Sequence, residues 1–331
     1  MRPLGLLAPV GQFSQRALDV ALDRSVVLGY TSIGPRVRRT LWPADPTPGC
    51  LQGKRVVVTG ATSGIGEAIA RQLLELGATV HLLGRNAQKV ADYARDLREQ
   101  VANSEVVEEV CDVSDLDAVR AWAGDLSGRI EVLHGLVHNA GTMTTRREES
   151  AQGHELGLAA HVLGPHLMTR ILRDRLLAAP GTVVWMSSGG MYGARLHADD
   201  ADDIEYRRGQ YDGVQAYART KRMQVVMAQV WADALLGTGV QSVSMHPGWV
   251  RTPGVSEHLP TFDKVVGPLL REPDDGADTA VWLVAKRPPS HPPYFWHDRA
   301  QRPTTFGWQR AEDVTGRDRL RDYVAAATDA P

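Results

Sequence analysis

Residues 54–77 read KRVVVTGATSGIGEAIARQLLELG, and no other stretch constrains the fold as tightly. The apolar run in KRVVVTG is a buried strand, a glycine-punctuated turn follows, and GEAIARQLLELG continues as a helix. Each glycine of the turn has a separate use. Gly60 permits the tight turn, Gly64 lets backbone approach a pyrophosphate, and Gly66 lets helix and strand pack closely. Thr62, Ser63 and Ile65 complete the turn, and the N–H groups at the helix start face the anion. Glycine-rich turns also occur without a nucleotide. The position between strand and helix is what gives this one weight.

The same alternation continues downstream. ATVHLLGR is a second strand, with a charged helix after it to about residue 100. EVVEEVCDVSD, VLHGLVHNAG, GTVVWMSS and VQSVSMHPG give four more strands, with helical segments between them. Such alternation builds parallel βαβ units. The expected fold is therefore α/β: a single Rossmann-type, doubly wound parallel sheet with helices on both faces, plus an N-terminal extension. Residues 1–50 form that extension and a linker, since WPADPTPGC (42–50) holds three prolines that prevent regular structure. Residues 51–300 form the nucleotide-binding catalytic domain, and 301–331 a C-terminal tail with a helix. Within the extension, residues 13–30 have near-helical apolar spacing, which fits a helix packed on the body or one lying on a membrane surface.

Composition narrows the function classes. A net charge of −2 gives no electrostatic grip on nucleic acid phosphates. Two cysteines, Cys50 and Cys111, are too few for a disulfide framework and fit a reducing compartment. No apolar run is long enough to span a bilayer, and MRPLGLLAPVG lacks a secretory pattern. A cytoplasmic protein is expected, with peripheral membrane contact through residues 1–50 left open.

Cofactor choice rests on the end of the second strand. An acid there would favour NAD by bonding the ribose hydroxyls, but this chain has Gly84-Arg85. The Arg85 guanidinium can fork onto a 2′-phosphate, so NADP(H) is expected, although an ordinary surface arginine fits the same position. YARTK places Tyr217 and Lys221 four residues apart, on one face of a helix. A neighbouring ammonium stabilises phenolate, lowers the phenol's pKa and readies it for proton transfer.

Taken together, these motifs resemble the short-chain dehydrogenase/reductase family over roughly residues 52–300. The resemblance rests on Thr59–Gly66, Asp112 after the third strand, Asn139-Ala140-Gly141, Ser188, Tyr217 with Lys221, and PGWVRT at 247–252. The phrases SSGGM, SMHPGW and TPGV bring the chain toward the branch holding the retinol-dehydrogenase-like proteins and family member twelve. The resemblance implies roles. Asp112, with Val113, would contact the adenine, and Asn139, Ala140 and Gly141 would brace the sheet beside the cofactor. Ser188, rather than Ser187, would bond the substrate oxygen, and Tyr217 would protonate it. Lys221 would hold the nicotinamide ribose. Thr252 and the backbone around Pro247, Gly248 and Val250 would hold the carboxamide, and residues 251–275 would cover the substrate. Family members often pair through the helices carrying residues 161 and 217, so a homo-oligomer is left open.

One position departs from that pattern. In HELGLAAHVLGPH (154–166), His161 stands where the family has a catalytic asparagine. Pro165, four residues on, lacks the N–H that would bond the His161 carbonyl, and is expected to supply the helix kink and preserve a proton-relay water. His161 is therefore a fourth catalytic candidate. A metal reading fails because position 158 is leucine and His154 and His161 would lie about 10.5 Å apart along a helix. His154 and His166 are expected to be ordinary residues. A serine hydrolase is weak too, since WMSSG lacks the nucleophile elbow.

The expected activity is hydride transfer between NADP(H) and a carbonyl or alcohol. HPGWV, HLPTF and PPYFW suggest an apolar substrate if they line the lid, and core if they do not. The acidic segment 197–213 is expected to be a solvated loop near the substrate mouth. The alternative function is an NADP-binding protein with little or no turnover, a sensor or scaffold, because His161 replaces the asparagine.

Overall fold

A computed structural model describes residues 19–258, 260–307, 309 and 314–329. The sheet is the frame. Its strands are β1 (Arg55–Thr59), β2 (Thr79–Gly84), β3 (Glu105–Val110), β4 (Gly135–His138), β5 (Thr182–Met186), β6 (Gln241–Met245), β7 (Phe295–His297) and β8 (Ala300–Gln301). They lie in the order β3-β2-β1-β4-β5-β6-β7-β8, parallel throughout except for β8. β1 pairs with β2 on one side and β4 on the other, so the chain reverses its direction of winding there. Open α/β sheets leave a ligand crevice at that point, outside the carboxyl ends of the strands.

Alternating side chains along each strand feed two cores. Val57, Leu83, Val183 and Trp185 pack into one cluster; Val56, Val58, Val184 and Met186 pack into the other. The strands are buried on both faces, which is why they read as continuous apolar runs rather than alternating ones. The described helices used below are α1 (Val27–Tyr30), α2 (Ile33–Arg38), α3 (Ile65–Glu75), α4 (Ala87–Gln100), α5 (Leu116–Arg129), α6 (Gly164–Ile171), α7 (Gly213–Ala234), α8 (Pro273–Lys286) and α9 (Val314–Asp329). α3, α4 and α8 cover one face of the sheet, and α5, α6, α7 and α9 the other. The expected single doubly wound sheet with helices on both faces is what forms.

Several local expectations are corrected. Six strands were expected, and β7 and β8 extend the sheet. PPYFW falls in this added hairpin, where Phe295 and Trp296 are buried in the core rather than lining a substrate mouth. The helix expected over 13–30 is interrupted: residues 19–24 are helical, 25–26 form a turn, and α1 follows. Phe13, Ala17 and Leu18 lie outside the described residues. The segment 197–213 is a loop but not a fully solvated one. Glu205 is buried in it, bonding His154 Nδ1 at 2.7 Å, Tyr323 Oη at 2.6 Å and the Glu155 N–H at 2.7 Å. These bonds tie the loop to α9 and give His154 a structural partner. No described helix is long and apolar enough to cross a membrane.

Candidate active site

The glycine turn joins β1 to α3 at the reversal point. Gly60 has a φ of +63°, and a Cβ on Gly66 would fall 2.1 Å from the Gly60 carbonyl oxygen, so neither place tolerates a side chain. Asn86, Asp115 and Asp212 cap α4, α5 and α7 through side-chain oxygens. The N-cap of α3 is Gly64, which has no side chain to accept those bonds. An anionic ligand can take that place, helped by the partial positive charge of the helix end. Thr62, Ser63 and Ile65 belong to the same turn. Thr252 closes it from the β6 side, with Cγ2 3.1 Å from where a Gly64 Cβ would be.

Asn139 locks β4 to β1. Its Nδ2 donates to the Thr59 and Gly60 carbonyls at 3.0 and 3.2 Å, and Thr59 Oγ1 accepts the N–H groups of Asn139 and Ala140 at 3.0 and 2.9 Å. Arg85, at the end of β2, is exposed and makes no hydrogen bond or ion pair among the described residues. Asp112, in the loop after β3, uses Oδ1 to bind the Ser114 N–H and hydroxyl at 2.9 and 2.7 Å, and Val113 beside it packs into the core. A glycine at the α3 N-cap, an exposed cation after β2 and a carboxylate after β3 together fit a dinucleotide.

The second group of residues gathers at the exits of β5 and β6 and on α7. Ser187 donates its hydroxyl to the Lys221 carbonyl at 2.8 Å and is buried, while Ser188 Oγ accepts the Gly190 N–H at 3.2 Å and lies beside Tyr217. Burial raises the pKa of Tyr217, and the nearby Ser188 hydroxyl offsets part of that rise. The expectation that Lys221 lowers it is not met within the protein. Lys221 Nζ lies 5.3 Å from the Tyr217 ring centroid and donates to the Met186 carbonyl at 2.8 Å and Gln224 Oε1 at 2.9 Å. Burial pushes its own pKa down to about 7. Gln224 was missed in the sequence, although its spacing from Lys221 on a helix could have indicated it.

His161 is fully buried and sits in a π turn, Ala159–Leu163, where the Gly164 N–H reaches five residues back to the Ala159 carbonyl. Pro165 follows directly on this turn in a run that is helical from Leu156 to Ile171, so its missing N–H withholds the usual i+4 donor from the His161 carbonyl. The His161 ring accepts the Thr142 N–H at Nε2 (3.0 Å), so Nδ1 carries the proton and donates to Thr220 Oγ1 at 2.8 Å. It stands edge-on to Tyr217, with centroids 5.6 Å apart. Both ring nitrogens are engaged, and its pKa is held well below the usual value by burial and then by Lys221. His166 packs on Trp231. Among the described residues no group of three His, Cys, Asp or Glu could hold a metal ion.

A cleft of about 590 Å³ opens between the segment after Gly141 and the start of α7, lined by Met143, Thr144, Thr145, Tyr206, Tyr211 and Gln215, among others. A narrow recess shares Met143, Thr144 and Tyr211 with it and reaches Tyr217 and Glu155. Tyr211 donates to Glu155 Oε1 at 2.9 Å and meets Thr144 Oγ1 at 3.0 Å. Residues 206 and 210–213 of the segment 197–213 thus border this cleft, and its lining mixes hydrogen-bonding with apolar side chains.

Tyr217 and Lys221 on one helix beside the crevice of a doubly wound parallel sheet point to the class, and comparison with known proteins agrees. Residues 54–196 match the short chain dehydrogenase family model, and the chain belongs to that family. It is 34% identical over 235 residues to human dehydrogenase/reductase SDR family member 12, covering 71% of this chain and 72% of the relative. Human retinol dehydrogenase 12 is also 34% identical, over 70% of this chain and 73% of the relative. Among solved structures, a short chain dehydrogenase from Escherichia coli complexed with NADPH aligns with a TM-score of 0.60 at 26% identity, covering 72% of this chain and 93% of that one. The protein is accordingly an oxidoreductase of the alcohol–carbonyl type.

Proposed function

We propose that this chain is an NADP(H)-dependent reductase of a carbonyl compound, with Tyr217 as its acid. The observation that carries the proposal is Tyr217, which lines the recess with Ser188 and Lys221 beside it. The α3 turn would hold the pyrophosphate, Arg85 the 2′-phosphate and Asp112 the adenine. Lys221 and the backbone from Pro247 to Thr252 would hold the nicotinamide end. When bound, NADPH supplies the hydride that goes to the carbonyl carbon.

The protein manages the proton. Burial keeps Tyr217 in its phenol form at neutral pH, which is the form that can give a proton. Ser188 donates a hydrogen bond to the carbonyl oxygen and Tyr217 protonates it, so the product is an alcohol and the residue left behind is a phenolate. Two of the three Lys221 donors are taken by Met186 and Gln224, and the third is left for the nicotinamide ribose. His161 holds these parts in place and does not itself carry the proton. The mixed lining of the cleft favours a substrate with both hydrogen-bonding and apolar surface over a purely apolar one.

Tyr217→Phe tests this reading. It should bind NADPH as the wild type does and lose turnover by about 10²-fold or more. A wild type that binds NADPH tightly yet reduces nothing in a broad carbonyl panel would instead support a cofactor-binding protein without turnover.

A further inference from the structure

The N-terminal extension places one side chain between two segments of the candidate site. The Tyr30 ring lies against Gly189, the residue after Ser188: a Cβ there would meet Tyr30 Cε2 at 2.8 Å. The same ring stands 4.6 Å from the His246 ring and edge-on to Trp249 at 6.0 Å, at the exit of β6. The Tyr30 carbonyl accepts the Trp249 N–H at 2.8 Å and Arg271 Nε at 2.9 Å. A Cβ on Gly248 would fall 2.4 Å from that Nε and 2.8 Å from that carbonyl oxygen. Tyr30 and Arg271 thus account for two glycines beside the cleft.

The clamp is anchored deeply. Arg271 is fully buried and forks onto Asp298 at 2.6 and 3.0 Å, with a further bond to the Gly29 carbonyl at 2.6 Å. Arg38 of α2 reaches Asp298 at 2.6 Å from the other side. The Arg271 backbone pairs with Trp249 and Arg251 at 2.8 and 2.9 Å. Arg38 also pairs with Asp19 at 2.9 Å, so each cation has a carboxylate partner, and removal of one member leaves an unpaired buried charge.

In the proposed reaction the substrate oxygen lies at the β5 exit and the nicotinamide at the β6 exit. Hydride transfer needs those two exits held at one separation. We propose that Tyr30, seated between Gly189 and Gly248 and bonded through its carbonyl to Trp249 and Arg271, is a positioning residue that fixes the nicotinamide half of the cofactor site. The extension then completes the site, and the adenosine half, built by the α3 turn, Arg85 and Asp112, is independent of it. This rests on the NADP(H) reading.

The test compares two probes by calorimetry on the full chain. NADPH reads both halves of the site, and adenosine 2′,5′-bisphosphate reads only the adenosine half. Tyr30→Ala should weaken NADPH by about tenfold or more while changing the bisphosphate by less than about twofold. Tyr30→Phe should restore NADPH binding. Parallel weakening of both probes, or no change in either, overturns the proposal, since a general loss of structure would not spare one half. Should Tyr30→Ala not fold, Tyr30→Leu, which keeps apolar bulk without the ring, is held to the same two outcomes. A wild type that binds neither probe overturns the cofactor reading itself, and this inference with it.

Discussion

His161 Nδ1 donates to Thr220 Oγ1 at 2.8 Å, and that hydroxyl passes its own hydrogen to the Tyr217 carbonyl at 2.9 Å. With the Thr142 N–H on the other ring nitrogen, the imidazole spans from the loop after β4 to the helix that carries Tyr217. A side chain with one acceptor and one donor on opposite edges suits that span. His161→Phe keeps a ring of similar size but leaves the half-buried Thr142 N–H without an acceptor and the buried Thr220 hydroxyl without its donor. It should lower stability by about 1–3 kcal/mol, measured by denaturant unfolding. Unchanged stability would remove the case for a strut.

Acid should destabilise the protein earlier than carboxylate titration alone would. Burial lowers the pKa of His138 and His297 to about 3 and of His166 to about 4, and holds His161 and His246 well below their usual value. In the unfolded chain these imidazoles take protons near pH 6.5, while in the folded one they stay neutral. The unfolded state therefore binds more protons as pH falls below about 6.5, and stability drops with it, by up to about 1.4 kcal/mol per pH unit for each histidine. Melting temperatures at pH 7.5, 6.0 and 5.0 should fall progressively. A flat profile over that interval would contradict the neutral buried assignments.

The parts of this protein that were legible in its sequence are those where one local pattern settles the conformation. The glycine turn, the paired Tyr217 and Lys221, and the six longer strands all announce themselves through spacing. The β7–β8 hairpin does not. Its turn residues, Asp298 and Arg299, both have positive φ without a glycine, and the strands beside them have three and two residues. What holds that turn is Arg38 and Arg271, from distant parts of the chain, so no local signal exists. The same holds for Tyr30, whose importance depends on two glycines far along the sequence. For Tyr217, helical spacing gave the Lys221 neighbour, whereas the burial that raises its pKa is a tertiary property with no local signal.

Lys221 should leave its own mark at alkaline pH. Its folded pKa is about 7, against about 10.4 unfolded, because burial disfavours the ammonium. Below pH 7 both states hold the proton and the burial penalty is present in full. Between pH 7 and about 10 the unfolded chain binds more protons than the folded one, so this group makes stability rise with pH. Lys221→Met should flatten the rise, measured as the unfolding midpoint of cofactor-free protein at pH 7, 8 and 9. Identical slopes in wild type and variant would mean that the ammonium is better solvated than its burial implies.

Arg85 offers a direct test of cofactor choice. Its side chain is exposed and unpaired among the described residues, so replacing it disturbs no internal bond. Arg85→Glu replaces a guanidinium that can bond a 2′-phosphate with a carboxylate that repels it and can accept from ribose hydroxyls. NADPH affinity should fall by about 10–100-fold, in line with loss of a charge-assisted bond, while NADH affinity rises. Equal affinities for both cofactors in wild type and variant would place the discrimination elsewhere.

The C-terminal helix α9 bears on assembly. Leu320 and Val324 are completely buried, and the helix lies across α6 and α7, the faces through which the family resemblance implied pairing. A surface already covered by the chain's own helix is not open to a second copy, so the protein should run as a monomer in light scattering. Leu320→Ala removes a buried side chain from that contact and should lower stability by about 2–5 kcal/mol. Leu320→Asp puts a charge against the apolar face, so α9 should detach and expose apolar surface on α6 and α7. Self-association should then appear in the variant and be absent from the wild type. A wild type that is already dimeric, with Leu320→Asp leaving its mass unchanged, would mean that pairing uses some other face and that α9 has no part in blocking it.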